Sequence, residues 1–484
     1  MSRQAIANEL VLELDEREPT LTRRLSTALV AAIADGRLAD GDPLPSSRVL
    51  AADLGLSRAV VVASYEELVA SGFLVARQGS ATRVEAGAQR AALAGAFATP
   101  SAETPRSERR PIAPPRFDAL PGYPDTTLID QRDWSRACRV AAAQVRSWAD
   151  DVAEIDRGRT HHFNPALRAE LADHLRRHRG ILCDPEAIFI FPGVNAALRL
   201  LTGVLMPDGA RIAFEEPGYA SARRALVAAG ARTVPVPVDR DGLMLEQLPD
   251  VAGAYVTPAH QFPLGARLSV SRRADILAWA KARDALIFED DYDGEFRYDV
   301  PPMAALRAMT DAPEHVVYLG TASKTIARDL RLAWAIVPER FIGVVREHLF
   351  DQGDSASVFS AGILAEFMRS GGLRRQIASI QRVYADRRRA LSQACERLRP
   401  EFEVMGINAG LHLVLAARSD TFDDMAATEA LADRGLACAP LSYYYASPAV
   451  PGQRRGLVCG YSRLLPAQAH QAVDLIEEVL ADGV

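Results

Sequence analysis

At 484 residues the chain is longer than a single core ordinarily fills, so two or three domains are expected. Its 49% hydrophobic and 24% charged residues lie near globular averages, and a net charge of −6 excludes a protein that coats nucleic acid over its whole surface, so any such contact must be local. No stretch approaches the ~20 uninterrupted apolar residues of a membrane span, and the first residues carry acids without an apolar signal core, which predicts a cytoplasmic protein that makes no membrane contact. The 5 cysteines are scattered without a C-x-x-C pair, which predicts reduced thiols and no metal site.

In chain order, Leu25, Leu29, Ala32 and Ile33 follow helical spacing up to Gly36. Ser46 and Ser47 cap a second helix from Arg48, which Gly55 ends, and Ser57 caps a third through about Val69. After Gly72, Phe73–Val75 and Thr82–Val84 read as two short strands around Gln78, Gly79 and Ser80. Residues 18–86 thus form a helix-turn-helix followed by a hairpin, or wing. Residues 87–116, rich in Ala, Pro, Ser, Thr and Arg, read as a flexible linker.

Residues 117–484 alternate helices with short apolar strands at 187–191, 211–214, 253–256, 286–288 and 316–319. That alternation predicts an α/β domain with a mainly parallel sheet covered by helices. A charged helix from Leu373 to Leu391 and strands at 411–415 and 457–459 predict a smaller C-terminal α+β subdomain.

A recognition helix needs a capped start and donors that reach base edges and phosphates. Ser57, Arg58, Ser64 and Tyr65 are the candidates on the third helix, Arg48 on the second, and Gln78, Gly79, Ser80 and Arg83 on the wing. Residues 20–85 hold 7 arginines and 7 acids, so charge alone does not mark a DNA-binding head. Its order of features does: LPSSRVLAADLGLSRAVVVASYEELVASGFLVARQGSATRV resembles the GntR-type winged helix, which implies double-stranded DNA as a partner.

In the second half, Lys324 follows the strand at 316–319 and sits among Thr321, Ser323 and Arg331, a set of hydroxyls and one arginine that fits a phosphate. Asp290 and Tyr292 stand at the carboxyl end of another strand, where open α/β sheets bind ligands. Tyr219 follows a third strand, and Val194 and Asn195 follow Gly193 at the start of a helix, whose amides favour an anion. His260 and Gln261 follow a fourth strand, and either of the two fits a ring oxygen.

These are the parts that pyridoxal 5'-phosphate (PLP) requires: a lysine for its aldehyde, a carboxylate for its pyridine nitrogen, an aromatic over the ring, and donors for its phosphate. EPGY, TPAHQFPLG, EDDYDGEFRY and GTASKTIARDLRLAW, in this order, resemble fold-type I aminotransferases. With the GntR-like head in front, nearly the whole chain resembles the MocR-type regulators. The resemblance implies a PLP-dependent transferase-like domain with a seven-stranded sheet, Lys324 carrying PLP as an internal aldimine, and a homodimer in which each head crosses toward its partner. It also implies a transcription regulator of vitamin B6 or amino acid metabolism genes, with an aminotransferase carrying a vestigial head as the alternative.

Some positions depart from that pattern. Val194 and Asn195 stand where the family commonly has a hydroxyl and Gln, a loss of ~1 kcal/mol that PLP binding tolerates. Residues 159–165 replace a glycine-rich turn. Ser221 occupies the place of an arginine for an amino acid carboxylate, with Arg223 and Arg224 nearby, and Arg454 and Arg455 precede the last strand where a second arginine is expected. With no evident bidentate partner for a carboxylate, PLP itself is the favoured effector over an amino acid.

Overall fold

A computed structural model describes residues 12–15, 18–76, 80–94, 114–148, 164–298, 303–352, 356–447 and 453–483. The chain divides into two compact units, Met1–Ala113 and Pro114–Val484. Among the described residues, no helix is long and apolar enough to cross a membrane.

In the first unit, α1 (Leu21–Ala34) lays Leu25, Leu29 and Ile33 into the core. α2 (Ser47–Leu54) begins where the Ser46 side chain accepts from the Val49 amide and ends at Gly55, whose φ of 64° a residue without Cβ adopts freely. α3 (Arg58–Ala70) is capped in the same way by Ser57, which accepts from the Val60 amide, and it buries Val61, Ser64, Tyr65 and Leu68. β1 (Leu74–Val75) pairs antiparallel with β2 (Arg83–Val84), Leu74 opposite Val84, to form the wing. Gln78 and Gly79, read as wing residues, lie outside the described residues.

The stretch read as linker starts with structure. α4 (Ala88–Leu93) packs on α1, and the Asp40 carboxylate accepts from the amides of Gly87 at 2.6 Å and Gln89 at 3.4 Å. Proline is absent from residues 87–94, where an Ala-rich run favours helix, and the prolines begin only at Pro100.

The second unit enters as β3 (Phe117–Asp118), paired parallel with β14 (Leu436–Ala437) of the smaller subdomain. The main sheet has the strand order β4-β11-β10-β9-β8-β5-β6-β7. Its strands are β4 (Ile188–Phe191), β5 (Arg211–Glu216), β6 (Arg232–Asp239), β7 (Gly242–Leu243), β8 (Gly253–Val256), β9 (Leu286–Asp291), β10 (Val316–Thr321) and β11 (Ala333–Ile336). Neighbours from β6 through β10 run parallel, and β11 is antiparallel to both its neighbours. Seven full strands match the expected sheet, and the two-residue β7 adds a short hairpin edge.

β6 escapes the sequence pattern because Pro235 and Pro237 interrupt it. Both are tolerated because one side of β6 meets only β7, which pairs with Val238 and Asp239 alone, so the missing amides cost no ladder bond there. The subdomain adds the antiparallel sheet β12 (Phe402–Met405), β13 (His412–Ala417), β16 (Gly456–Gly460) and β15 (Ala439–Pro440), with the long helix Gly372–Ala394 against the same core. All 5 cysteines are free.

Candidate cofactor site and nucleic-acid interface

A cavity of about 420 Å³ opens at the carboxyl ends of the parallel strands. β9 delivers Asp290 and, just beyond the strand, Tyr292; β10 delivers Thr321, then Ser323 and Lys324; the turn after β5 delivers Tyr219. Gly193, Val194 and Asn195 line it from the start of the helix Val194–Leu205. Nine of the eleven residues read as cofactor contacts therefore meet in one cavity.

Asp290 carries the most telling geometry. It is 2% exposed, and its Oδ2 accepts from the Tyr255 hydroxyl at 2.5 Å, while its Oδ1 has no partner. Burial raises its pKa to about 7, against the lowering by the Tyr255 hydrogen bond. A buried carboxylate oxygen without a donor is costly, and a ring N–H delivered into the cavity would satisfy it.

Lys324 donates to the Gly122 carbonyl at 2.6 Å, and burial pushes its pKa down to about 8. A neutral amine is the form that attacks a carbonyl carbon. Loading of added PLP is thus expected to speed up as pH rises to about 8 and then level off. An ordinary lysine would keep gaining rate toward pH ~10.4. Stopped-flow absorbance across that range checks it, and a rate still climbing well above pH 8 would contradict the depressed value.

Thr321 and Ser323 share a hydroxyl contact of 3.0 Å, and the Ser323 amide donates to the Thr321 hydroxyl at 3.1 Å. Arg331 adopts a left-handed φ of 54°, uncommon without glycine, and a Cβ placed on Gly193 would stand 3.8 Å from its guanidinium carbon. The strained residue thereby carries its charge to the helix start, where hydroxyls, amides and one cation converge on space for a phosphate.

His260 and Gln261 do not line the cavity. His260 Nδ1 lies 2.8 Å from the Asp293 carboxylate and 3.0 Å from the Tyr292 hydroxyl, so it stands behind Tyr292. Gln261 donates to the carbonyls of Pro217 at 2.8 Å and Phe262 at 2.7 Å and accepts from the Leu264 amide at 3.1 Å, which spends its amide on tying its own loop to the turn after β5.

Tyr255 is a residue the sequence reading missed. It sits within the apolar run of β8, and only the pairing of β8 with β9 brings its hydroxyl to Asp290. A lone tyrosine in a fully buried strand was the available signal, since a buried phenol needs a partner.

The arginines near a carboxylate's place in the sequence are Arg223, Arg224, Arg454 and Arg455, and the structure adds Arg328. Arg223 is taken by Glu216 at 2.6 Å, Arg454 by Glu403 at 3.1 Å, and Arg455 lies 3.6 Å from Asp424. Arg224 lines the cavity, held by the Ser221 hydroxyl at 2.9 Å and the Tyr443 hydroxyl at 3.2 Å, and Arg328 lines it beside Tyr123. The cavity is better equipped for a second anion than the sequence alone suggests. Residues 159–163 of the departing turn lie outside the described residues.

In the head, Arg48, Ser57, Arg58, Ser80 and Arg83 are exposed. Ser57 caps α3, and Arg83 donates to the Gly41 carbonyl at 2.9 Å. Ser64 and Tyr65, read as DNA contacts, are instead interior. Ser64 is fully buried and donates to the Thr22 carbonyl at 3.0 Å, and the Tyr65 hydroxyl donates to the Pro45 carbonyl at 2.8 Å. Tyr65→Phe is expected to lower head stability by ~1 kcal/mol while leaving the DNA affinity of folded protein unchanged. Denaturant unfolding and DNA titration check it, and an affinity loss without a stability loss would restore Tyr65 as a contact.

Geometry and sequence together define a GntR-type head in front of an aminotransferase class I and II domain. The family model described as bacterial regulatory proteins, gntR family, matches residues 21–84, and that described as aminotransferase class I and II matches residues 132–471. The chain is 35% identical over 458 residues, 94% of each chain, to the HTH-type pyridoxine biosynthesis transcriptional regulator PdxR of Corynebacterium glutamicum. It is 31% identical over 482 residues, 96% of this chain and 94% of the other, to the probable rhizopine catabolism regulatory protein MocR of Rhizobium meliloti. The chain belongs to the MocR-type regulators. Over 76% of its length the chain is also similar in fold to an archaeal alanine:glyoxylate aminotransferase, covering 91% of that chain, with a TM-score of 0.67 at 23% identity.

Proposed function

We propose that this protein is a DNA-binding transcription regulator whose cavity holds PLP, and that PLP occupancy sets how tightly its heads grip an operator. The unpartnered Asp290 Oδ1 in the cavity of Lys324 carries this reading. Asp290 would hold the pyridine nitrogen, Tyr292 the ring oxygen, Tyr219 the ring face, and Thr321, Ser323, Arg331 and the amides of Val194 and Asn195 the phosphate. When bound, PLP supplies an aldehyde that the Lys324 amine captures covalently.

One winged helix grips one half-site, which supports a homodimer acting on paired half-sites. Membership of the MocR-type regulators supports each head crossing toward its partner, and a regulator of DNA would act in the cytoplasm. Coupling requires PLP to favour one arrangement of heads by a finite free energy, typically ~1–3 kcal/mol. Footprinting the purified protein on DNA upstream of its own gene, with and without PLP, tests the proposal. Identical footprints and affinities in both states would end it.

Arg224 supports a second reading, in which an amino acid joins PLP through its carboxylate. Titration of the loaded protein with an amino acid panel separates the two: a shift in visible absorbance supports a dual effector, and no shift leaves PLP alone.

A further inference from the structure

The outward face of α3 offers almost no hydrogen-bonding side chain. Val61, Ser64, Tyr65 and Leu68 point into the head, which leaves Arg58, Ala59, Val62, Ala63 and Glu66 along the outer stripe. Arg58 and Ala59 are exposed, and Val62 and Ala63 are half-buried. Arg58 is the single donor in that stripe, with its Nε 3.4 Å from the Ser47 hydroxyl.

We infer that α3 reads the major groove chiefly by apolar contact of Ala59, Val62 and Ala63 with thymine 5-methyl groups, with Arg58 as the one hydrogen-bonding reader. This rests on the DNA-binding role of the head. Only thymine presents a methyl in that groove, and apolar side chains are its complement. Glu66 is exposed in the third turn, and its carboxylate is repelled by phosphates, so the first two turns enter deepest. Arg48, exposed and without a hydrogen-bond or ion-pair partner among the described residues, is free to hold backbone phosphate from α2. The balance of 7 arginines against 7 acids over residues 20–85 keeps the non-specific electrostatic attraction small, so contacts within the groove must supply much of the affinity.

The test uses the full PLP-loaded chain and a duplex selected from random sequence. Each thymine is then replaced by uracil, which removes the methyl and nothing else, and affinity is read by fluorescence anisotropy at fixed salt. Burial of one methyl corresponds to about a fourfold change in affinity, expected at two or more thymines per half-site. Val62→Ala should abolish the uracil penalty at one of them, Val62→Thr, which keeps a methyl there, should retain it, and Ala59→Ser should erase the penalty at another. Binding that is retained but indifferent to every uracil, or penalties unchanged in both Val62→Ala and Ala59→Ser, would overturn the inference alone. Failure to bind any duplex would overturn the DNA-binding role and this inference with it.

Discussion

Lys324→Ala is expected to give a colourless protein that no longer gains stability from PLP and whose DNA affinity no longer depends on it. The Lys324 amine is held at 2.6 Å from the Gly122 carbonyl inside the cavity and is the nucleophile positioned there for an aldehyde. A ligand that binds only the folded state stabilises it by ~4 kcal/mol at a thousandfold excess over its Kd, so the wild type should melt several degrees higher with PLP. The alanine variant forfeits the covalent bond and most of that gain. Lys324→Arg is the sharper control, because it keeps a cation in the cavity and forms no bond to the aldehyde. Borohydride labelling, thermal melts and DNA titration check all three readouts. A PLP-dependent DNA response surviving in both variants would show that the covalent link plays no part.

How much of this could be read from the chain depended on how local the signal was. Lys324, Thr321, Ser323, Asp290 and Tyr292 each sit within a few residues of the end of a short apolar run, so placing the strands placed them as well. Tyr219 and Val194 followed for the same reason. His260 and Gln261 are adjacent polar residues on one loop, and their directions depend on how it folds back. The Gln261 amide donates to the Ala266 carbonyl and the Gly265 amide to the Gln261 carbonyl, both at 2.7 Å, a closure that turns both side chains into the scaffold.

Ser64 and Tyr65 are a different kind of miss. With Val61 and Leu68 they form an i, i+3, i+4, i+7 stripe, and that spacing already places them inside. Their polar atoms suggested DNA, yet a hydroxyl with a backbone carbonyl in reach buries well. The buried position of Tyr255 signalled that its hydroxyl needs a partner, but the identity of that partner arises from strand pairing across 35 residues of sequence. Arg224 is a neighbouring case: one helical turn beyond Ser221, its direction into the cavity became apparent only with Tyr443 brought alongside from the subdomain.

Asp290→Asn is expected to act in opposite directions on the empty and the loaded protein. Burial raises the Asp290 pKa from 3.8 to about 7, so the folded state binds a proton more readily than the unfolded chain. Stability from that protonated form is complete below the ordinary carboxylate range and is lost as pH climbs through about 7, because the folded state must then carry a buried charge with Oδ1 unpartnered. Glu215, fully buried and likewise raised to about 7 by burial, adds to the same trend and is untouched by this variant. Asparagine accepts from Tyr255 without bearing charge, so the empty variant should be more stable than wild type at pH 8 by ~1–3 kcal/mol and show a flatter pH dependence. The same charge is what a protonated pyridine nitrogen requires, and its loss should weaken PLP binding about ten- to hundredfold. Denaturant unfolding of the empty protein across pH, beside PLP titration at pH 8, reads both effects. A variant less stable than wild type when empty, yet unchanged in PLP affinity, would mean that Asp290 serves the fold through Tyr255 and leaves the pyridine nitrogen to another group.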